Sequence, residues 1–321
     1  MSKTSTIFLT FCIMLLLGSC SWVDDDLSKC PKGNWLKISY AYNMLNVDAA
    51  STQLGDVSLF IFDQEGTLVH KEEVDSLTIH ENNCIMLLPE LPEGDYDFVV
   101  WGGLDEENYT VVPHSIELKR DADNINDRKL SPLFHGRLDK IHLNDDYSVH
   151  DLFLCKLTNV FSCTLQSKSE EFAAVADDYQ IEITSYNAEI SDRNSLGHTP
   201  VTYRPFLEES ASIEGIDVIH SGLNTLRLLV NDGTRFRLIY RPTGDKIIDI
   251  PLSDYLLMSR HIDYMNMDPQ EYLDREDRYN LIFLMSESND PCKPPYICMQ
   301  MQINSWIVRI QDGILESTSL F

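Results

Sequence analysis

From Trp35 onward, apolar positions recur at every second residue, the pattern of strands that put one face in a core and the other in water. Residues 37–42 alternate in this way. Residues 57–62 are a richer apolar run. The turn sequence Asp63-Gln64-Glu65-Gly66 then leads into Thr67-Leu68-Val69-His70 and predicts a hairpin, with Gly66 where φ turns positive. After a strand at 84–88 and a Pro-rich loop at 89–94, Tyr96, Phe98 and Val100 share one face of the next strand. In the second half, residues 152–165 form a long apolar strand region and residues 179–184 alternate. Residues 226–230, the turn Asn231-Asp232-Gly233 and residues 236–240 read as a second hairpin with Arg235 and Arg237 outward. Ile248, Ile250 and Leu252 share a face, and residues 253–261 suit a short helix. Asp268-Pro269-Gln270-Glu271 is a helix start, with the aspartate as cap and proline in the first turn. Tyr279, Leu281, Phe283 and Met285 alternate, as do Met299, Met301 and Ile303. The phase then shifts to Trp306, Val308 and Ile310, which predicts a bulge or bend at Asn304-Ser305.

Many short strands set off by Gly, Asn, Asp and Pro predict an all-β chain built of β-sandwiches. The unpatterned stretch 121–126, the breaks at Pro132 and Gly136, and Asp145-Asp146 place a boundary near residue 148. The expected organisation is a signal peptide at 1–19, a tether at 20–33, an N-terminal sandwich over 34–147 and a C-terminal one over 148–321.

The first 20 residues carry a different signal. Lys3, the apolar run 7–17 and the small residues before Cys20 have the layout of a secretory signal, and the run is too short to span a bilayer. Leu17-Gly18-Ser19-Cys20 reads as a lipoprotein cleavage box. A branched aliphatic and two small residues suit the peptidase, cleavage falls between Ser19 and Cys20, and the Cys20 thiol takes a diacylglyceryl group. Two or three acyl chains on one residue make attachment effectively permanent. Asp24-Asp25-Asp26 follows in a segment with little that packs.

With 25 basic and 51 acidic residues, the chain has a net charge of −26. Nucleic-acid affinity rests largely on neutralising phosphates with Lys and Arg, so nucleic acid is excluded as a partner. Hydrophobic content of 43% is enough for substantial cores. With Cys12 removed with the signal and Cys20 committed to lipid, Cys30, Cys84, Cys155, Cys163, Cys292 and Cys298 remain. Their pairing is open, and Cys292 with Cys298 is the pair that Pro294-Pro295 would bring together.

Catalytic signatures are sparse. The chain has no His-Glu-x-x-His, no Gly-x-Ser-x-Gly and no phosphate-cradling or dinucleotide loop. His135-Gly136-Arg137 reads as a satisfied histidine rather than a site. The loop 121–127 alternates oxygens like a calcium loop but has Asn126 and Pro132 where glycine and glutamate are needed. Asp274, Glu276 and Asp277 alternate with Arg275 and Arg278, as on a solvated, salt-bridged surface. Trp101 and Trp306 have core-like neighbours. No catalytic residue, metal or cofactor is expected beyond the covalent lipid, and the chain reads as a binding or assembly protein.

Several stretches together resemble the fimbrial anchor lipoproteins of Bacteroidetes (FimB/Mfa type). They are the box ending at Cys20, Cys30-Pro31 with residues 35–40, residues 92–103 ending in Val99-Val100-Trp101-Gly102-Gly103, Leu157-Thr158-Asn159-Val160, residues 272–279 and residues 303–309. The resemblance implies tandem transthyretin-like β-sandwiches held at the outer membrane by lipid and facing outward, with a fimbrillin-type stalk subunit as partner. It gives Asp24, Asp25 and Asp26 the role of an acidic surface-export tag. Subunits of this kind join by strand addition, an extended segment of one filling a groove in the next. The anchor is expected to keep its own first strand, about residues 36–42, and so to end the polymer. It would offer its C-terminal strand, with Ile303, Trp306, Val308 and Ile310 and the tail to Phe321, to the stalk. A surface lipoprotein that binds polysaccharide is the alternative.

Overall fold

A computed structural model describes residues 32–112, 114–169, 171–309 and 315–316. The first half contains β1 (Asn34–Ser39), β2 (Val57–Phe62), β3 (Leu68–Val74), β4 (Ile85–Leu87), β5 (Gly94–Gly102), β6 (Tyr109–Val112), β7 (Ser115–Leu118), β8 (Ile125–Asn126) and β9 (Phe134–Leu143). Short helices α1 (Ala50–Gln53) and α2 (Ser76–Glu81) flank β2 and β3. Next come β10 (Ser148–Phe153), β11 (Cys155–Lys156), β12 (Thr158–Ser167), β13 (Tyr179–Ser185), β14 (Glu189–Ser191), β15 (Val201–Tyr203), β16 (Leu207–Ile213) and β17 (Ile216–Leu226). The chain continues with β18 (Arg235–Tyr240), β19 (Asp245–Pro251), α3 (Leu252–Met258), α4 (Pro269–Arg275), β20 (Arg278–Glu287), β21 (Tyr296–Ile303), β22 (Trp306–Arg309) and β23 (Leu315–Glu316).

The chain is all-β, as its periodicity predicts. A three-stranded sheet, β10-β1-β4, packs on a five-stranded sheet, β11-β9-β5-β2-β3. Leu36, Ile38, Leu59, Ile61, Phe98, Val100 and Leu152 fill the space between them. The opposite face of the five-stranded sheet is covered too: Phe60, Phe62, Val99 and Trp101 belong to a second, larger cluster with Tyr109, Ile116 and Leu118. Burial on both faces explains why Val99-Val100-Trp101 reads as an unbroken apolar run. The second cluster continues between two six-stranded sheets, β16-β17-β12-β20-β21-β22 and β23-β19-β18-β13-β15-β8.

Local signals are realised closely. β2 and β3 pair as a hairpin, Gly66 has φ +79°, and the Asp63 carboxylate accepts from the Glu65 and Thr67 amides. Asp268 caps α4, accepting from the Gln270 and Glu271 amides at 2.9 and 3.1 Å, with Pro269 in the first turn.

Long-range pairing departs from the sequence reading in three places. Strand pairing crosses the expected boundary at residue 148 in both directions: β10 pairs in parallel with β1, while β8 joins β15 and β7 pairs with β14. The second expected hairpin does not form, because β17 pairs with β12 and β16 in one sheet and β18 with β13 and β19 in the other. The Asn231-Asp232-Gly233 turn therefore joins two sheets, held by Asp232, which accepts from the Leu229 and Thr234 amides. Finally, Asn304 (φ 50°) and Ser305 make a full reversal, not a bulge, and Ile303 pairs directly with Trp306.

Candidate functional site at the first and last strands

β1 is the centre of its sheet. Its residues Asn34 to Ser39 run beside Ser148 to Phe153 of β10, while Trp35 to Lys37 oppose Leu87 to Ile85 of β4. Leu36 and Ile38 are fully buried, and each such side chain contributes about 1.5–3 kcal/mol. The bonding continues past the strand ends: Ile38 N donates to Cys84 O and Leu88 N to Asn34 O, both at 2.8 Å. Tyr40 N donates to the Asp48 carboxylate, and the Tyr40 ring meets Phe134 edge-on at 5.0 Å. With both edges of β1 hydrogen-bonded, the first sandwich has no vacant strand position there.

At the other end, Ile303 closes β21 with its side chain in the core, opposite Leu281. β22 turns back along β21 and forms the edge of its sheet, Val308 opposite Met301. Trp306 is half-buried, its ring 6.0 Å from that of Tyr255, and Ile307 is exposed. β23 pairs in parallel with β19 and forms the edge of the facing sheet. Of the expected exchange residues, Trp306 and Val308 thus lie on an edge strand, whereas Ile303 is a core residue. Ile310 lies outside the described residues, as do Ser19, Cys20, Asp24, Asp25 and Asp26.

Several of the histidine, carboxylate and cysteine positions singled out in the sequence make packing and pairing contacts. His135 on β9 is buried against Trp101, ring centroids 4.5 Å apart, and its Nε2–H donates to Asp192 O at 3.0 Å. Burial lowers its pKa to about 4, partly opposed by Asp192. The folded state therefore holds this imidazole neutral where an unfolded one is protonated. Stability is complete above pH 6.5 and falls as pH drops towards 4, by about 3 kcal/mol. Urea unfolding of wild type between pH 7 and 4 should show that loss, and His135→Gln should flatten it. An equal slope in the variant would remove His135 as the cause.

The acidic stretch at the end of α4 is not the solvated surface that its alternating charges suggest. Asp274 is buried and takes a bidentate pair from Arg227, both bonds 2.7 Å, and also accepts from Gln270 at 3.0 Å. Asp277 pairs with buried Lys156, which faces the Phe134 ring. Arg275 stacks on Tyr42 at 4.4 Å and donates to Asn43 O. These contacts tie α4 and its exit to the loop after β1, to β11 and to the segment after β17, and the one positive charge within the apolar run 152–165, Lys156, is the signal in the sequence for the Asp277 pair. A further clamp joins Arg137 of β9 to Asp97, Asp139 and Asp192, with His114 on the same Asp192 carboxylate at 2.8 Å.

The 121–127 loop bonds to itself, Asp121 accepting from the Asp123 and Ile125 amides. Among the described residues, no cluster of three or more His, Cys, Asp or Glu is placed to hold a metal ion. The expected Cys292–Cys298 disulfide is absent: Cys298 faces the core from β21, Cys292 lies in an exposed loop, and both thiols are free. Burial pushes the Cys298 thiol up to about 12. Cys30 lies outside the described residues.

This architecture has solved counterparts. A proposed adhesin of Bacteroides thetaiotaomicron is 31% identical, with 89% of this chain and 100% of that one covered and a TM-score of 0.72. A proposed polysaccharide binding protein (DUF1812) of the same organism is 27% identical over 87% of this chain and 98% of that one, TM-score 0.73. The fimbrial anchor protein Mfa2 of Porphyromonas gingivalis shares the fold at 16% identity, TM-score 0.68, over 87% of this chain and 99% of its own. Comparison with curated proteins finds no match. The family profile for fimbrillin-A associated anchor proteins Mfa1 and Mfa2 matches residues 27–312. The chain therefore belongs to the fimbrillin-A associated anchor protein family, and its function is fimbria-associated.

Proposed function

We propose that the chain is the lipid-anchored base of a fimbrium, attached to the outer membrane through Cys20 and ending the polymer there. The observation that carries this reading is the seating of β1 between β10 and β4. A subunit that receives a donor strand must present a vacant strand position, because the main-chain bonds of the incoming strand supply much of the affinity. Here that position is taken by the chain's own strand, which lies just behind the lipoprotein box. Growth then proceeds in one direction only, away from the membrane. The donor is the end of the chain from Trp306 onward, narrower than the sequence reading, since Ile303 is committed to the core. Its edge position lets β22 leave without breaking the sandwich.

The test is co-purification from gently solubilised cells, wild type beside Cys20→Ala. Wild type should bring down a fimbrillin-like ladder, and the variant should shed that ladder into the medium. Deleting residues 311–321 should abolish stalk attachment while the remainder stays folded. A polymer that stays cell-bound in Cys20→Ala would overturn lipid anchoring. Capture of no polymer, with retention on a glycan column, would replace the reading with polysaccharide binding.

A further inference from the structure

The outward face of the β10-β1-β4 sheet carries a row of apolar side chains, of which Val149, Leu87 and Phe153 are exposed and Trp35 is partly buried. Pairing places Val149, Trp35 and Leu87 side by side across the three strands, pointing away from the buried Leu36. Val149 is 44% and Leu87 52% exposed, and Phe153, farther along β10 on the same face, is 67% exposed. Tyr147, just before β10, is also exposed. The row is more than scattered surface leucines, since its members are adjacent and include an aromatic flanked by aliphatics. Its charged residues, Lys37 and Asp151, face each other at 4.0 Å and cancel. On a chain of net charge −26, this is a locally neutral surface.

Position bears on what could cover it. The row lies at the leading end of β1, where the chain arrives from its N-terminal side. Cys20 precedes Asn34 by fourteen residues, a reach of at most about 50 Å. Tryptophan and tyrosine with aliphatic neighbours are the side chains that settle at a membrane–water interface, where one end is apolar and the other wet. Trp35 meets both demands, its ring in the row and its Nε1–H bonded to Lys32 O at 3.1 Å. We propose that this sheet face lies on the lipid surface, Trp35 at its centre, so that the first sandwich rests on the bilayer instead of swinging on its tether. The proposal rests on lipid attachment at Cys20.

Lipidated full-length protein carrying Trp22→Phe, which removes the tryptophan beside Cys20, is bound to phosphatidylcholine vesicles with and without brominated acyl chains. Bromine should quench part of the tryptophan emission. The quenching should vanish in Trp22→Phe/Trp35→Phe, and also in Trp22→Phe/Val149→Asp/Leu87→Asp while that protein stays on the vesicles. Protein that stays bound but is not quenched overturns the proposal and leaves lipid attachment standing. Protein that washes off overturns the attachment itself, and the proposal with it. A dimer in sedimentation that Val149→Asp dissolves, or glycan retention lost in Trp35→Phe, would assign the face to a second copy or to a sugar and overturn the bilayer.

Discussion

Replacing Ile38 with aspartate should unfold the first sandwich, at a cost of about 4 kcal/mol or more. Ile38 is buried at the centre of β1, among Leu36, Leu59, Ile61, Phe98 and Leu152. A carboxylate there meets no cation, and an isolated buried charge is among the few single changes that cost this much. Lys37→Gln, one residue earlier on the exposed face, removes only a surface pair with Asp151 and should change stability by less than about 1 kcal/mol. Urea unfolding followed by circular dichroism and Trp101 emission separates the two. Near-equal midpoints would mean that β1 is dispensable, and the account of a closed strand position would fail with it.

The Arg227–Asp274 pair should behave asymmetrically. Arg227→Met leaves the Asp274 carboxylate buried with Gln270 as its remaining donor, and breaking one partner of such a pair costs about 3–5 kcal/mol. Arg227→Met/Asp274→Leu removes both charges and should recover most of that loss, because the desolvation of two ions is no longer demanded. The double-mutant cycle should therefore show coupling of several kcal/mol. Simple additivity would show that the two residues act separately.

Local chemistry was legible in the sequence where a few consecutive residues carried the whole instruction. Asp63 to Gly66 and Asp268-Pro269 specify a turn and a cap by bonds to amides within four residues, and both form as read. The periodicity of the strands was legible for the same reason. What escaped was partner choice. Period-two alternation marks a strand without naming its neighbour, so β10 gave no sign of lying parallel to β1, more than 100 residues earlier. Asn231-Asp232-Gly233 has hairpin composition, yet its flanking strands find partners in opposite sheets. The charges at the end of α4 looked solvated because Arg227 and Lys156, their counterions, are remote in sequence. Of the candidate site, the edge position of Trp306 follows from a reversal at Asn304 that a shift in phase alone does not distinguish from a bend.

The parallel pairing of β1 with β10 has a mechanical consequence. Pull the N-terminus of β1 one way and the rest of the chain, leaving through the end of β10, the other way. In parallel strands those two points lie at opposite ends of the ribbon, so tension slides the strands past each other. All six register pairs, Asn34 with Ser148 through Ser39 with Phe153, are strained together. An antiparallel hairpin pulled from its open end would instead unzip one bond at a time. A strand held in shear yields only when its whole ladder fails, a property that the proposed role at the base of a fimbrium would draw on whenever flow drags on the filament.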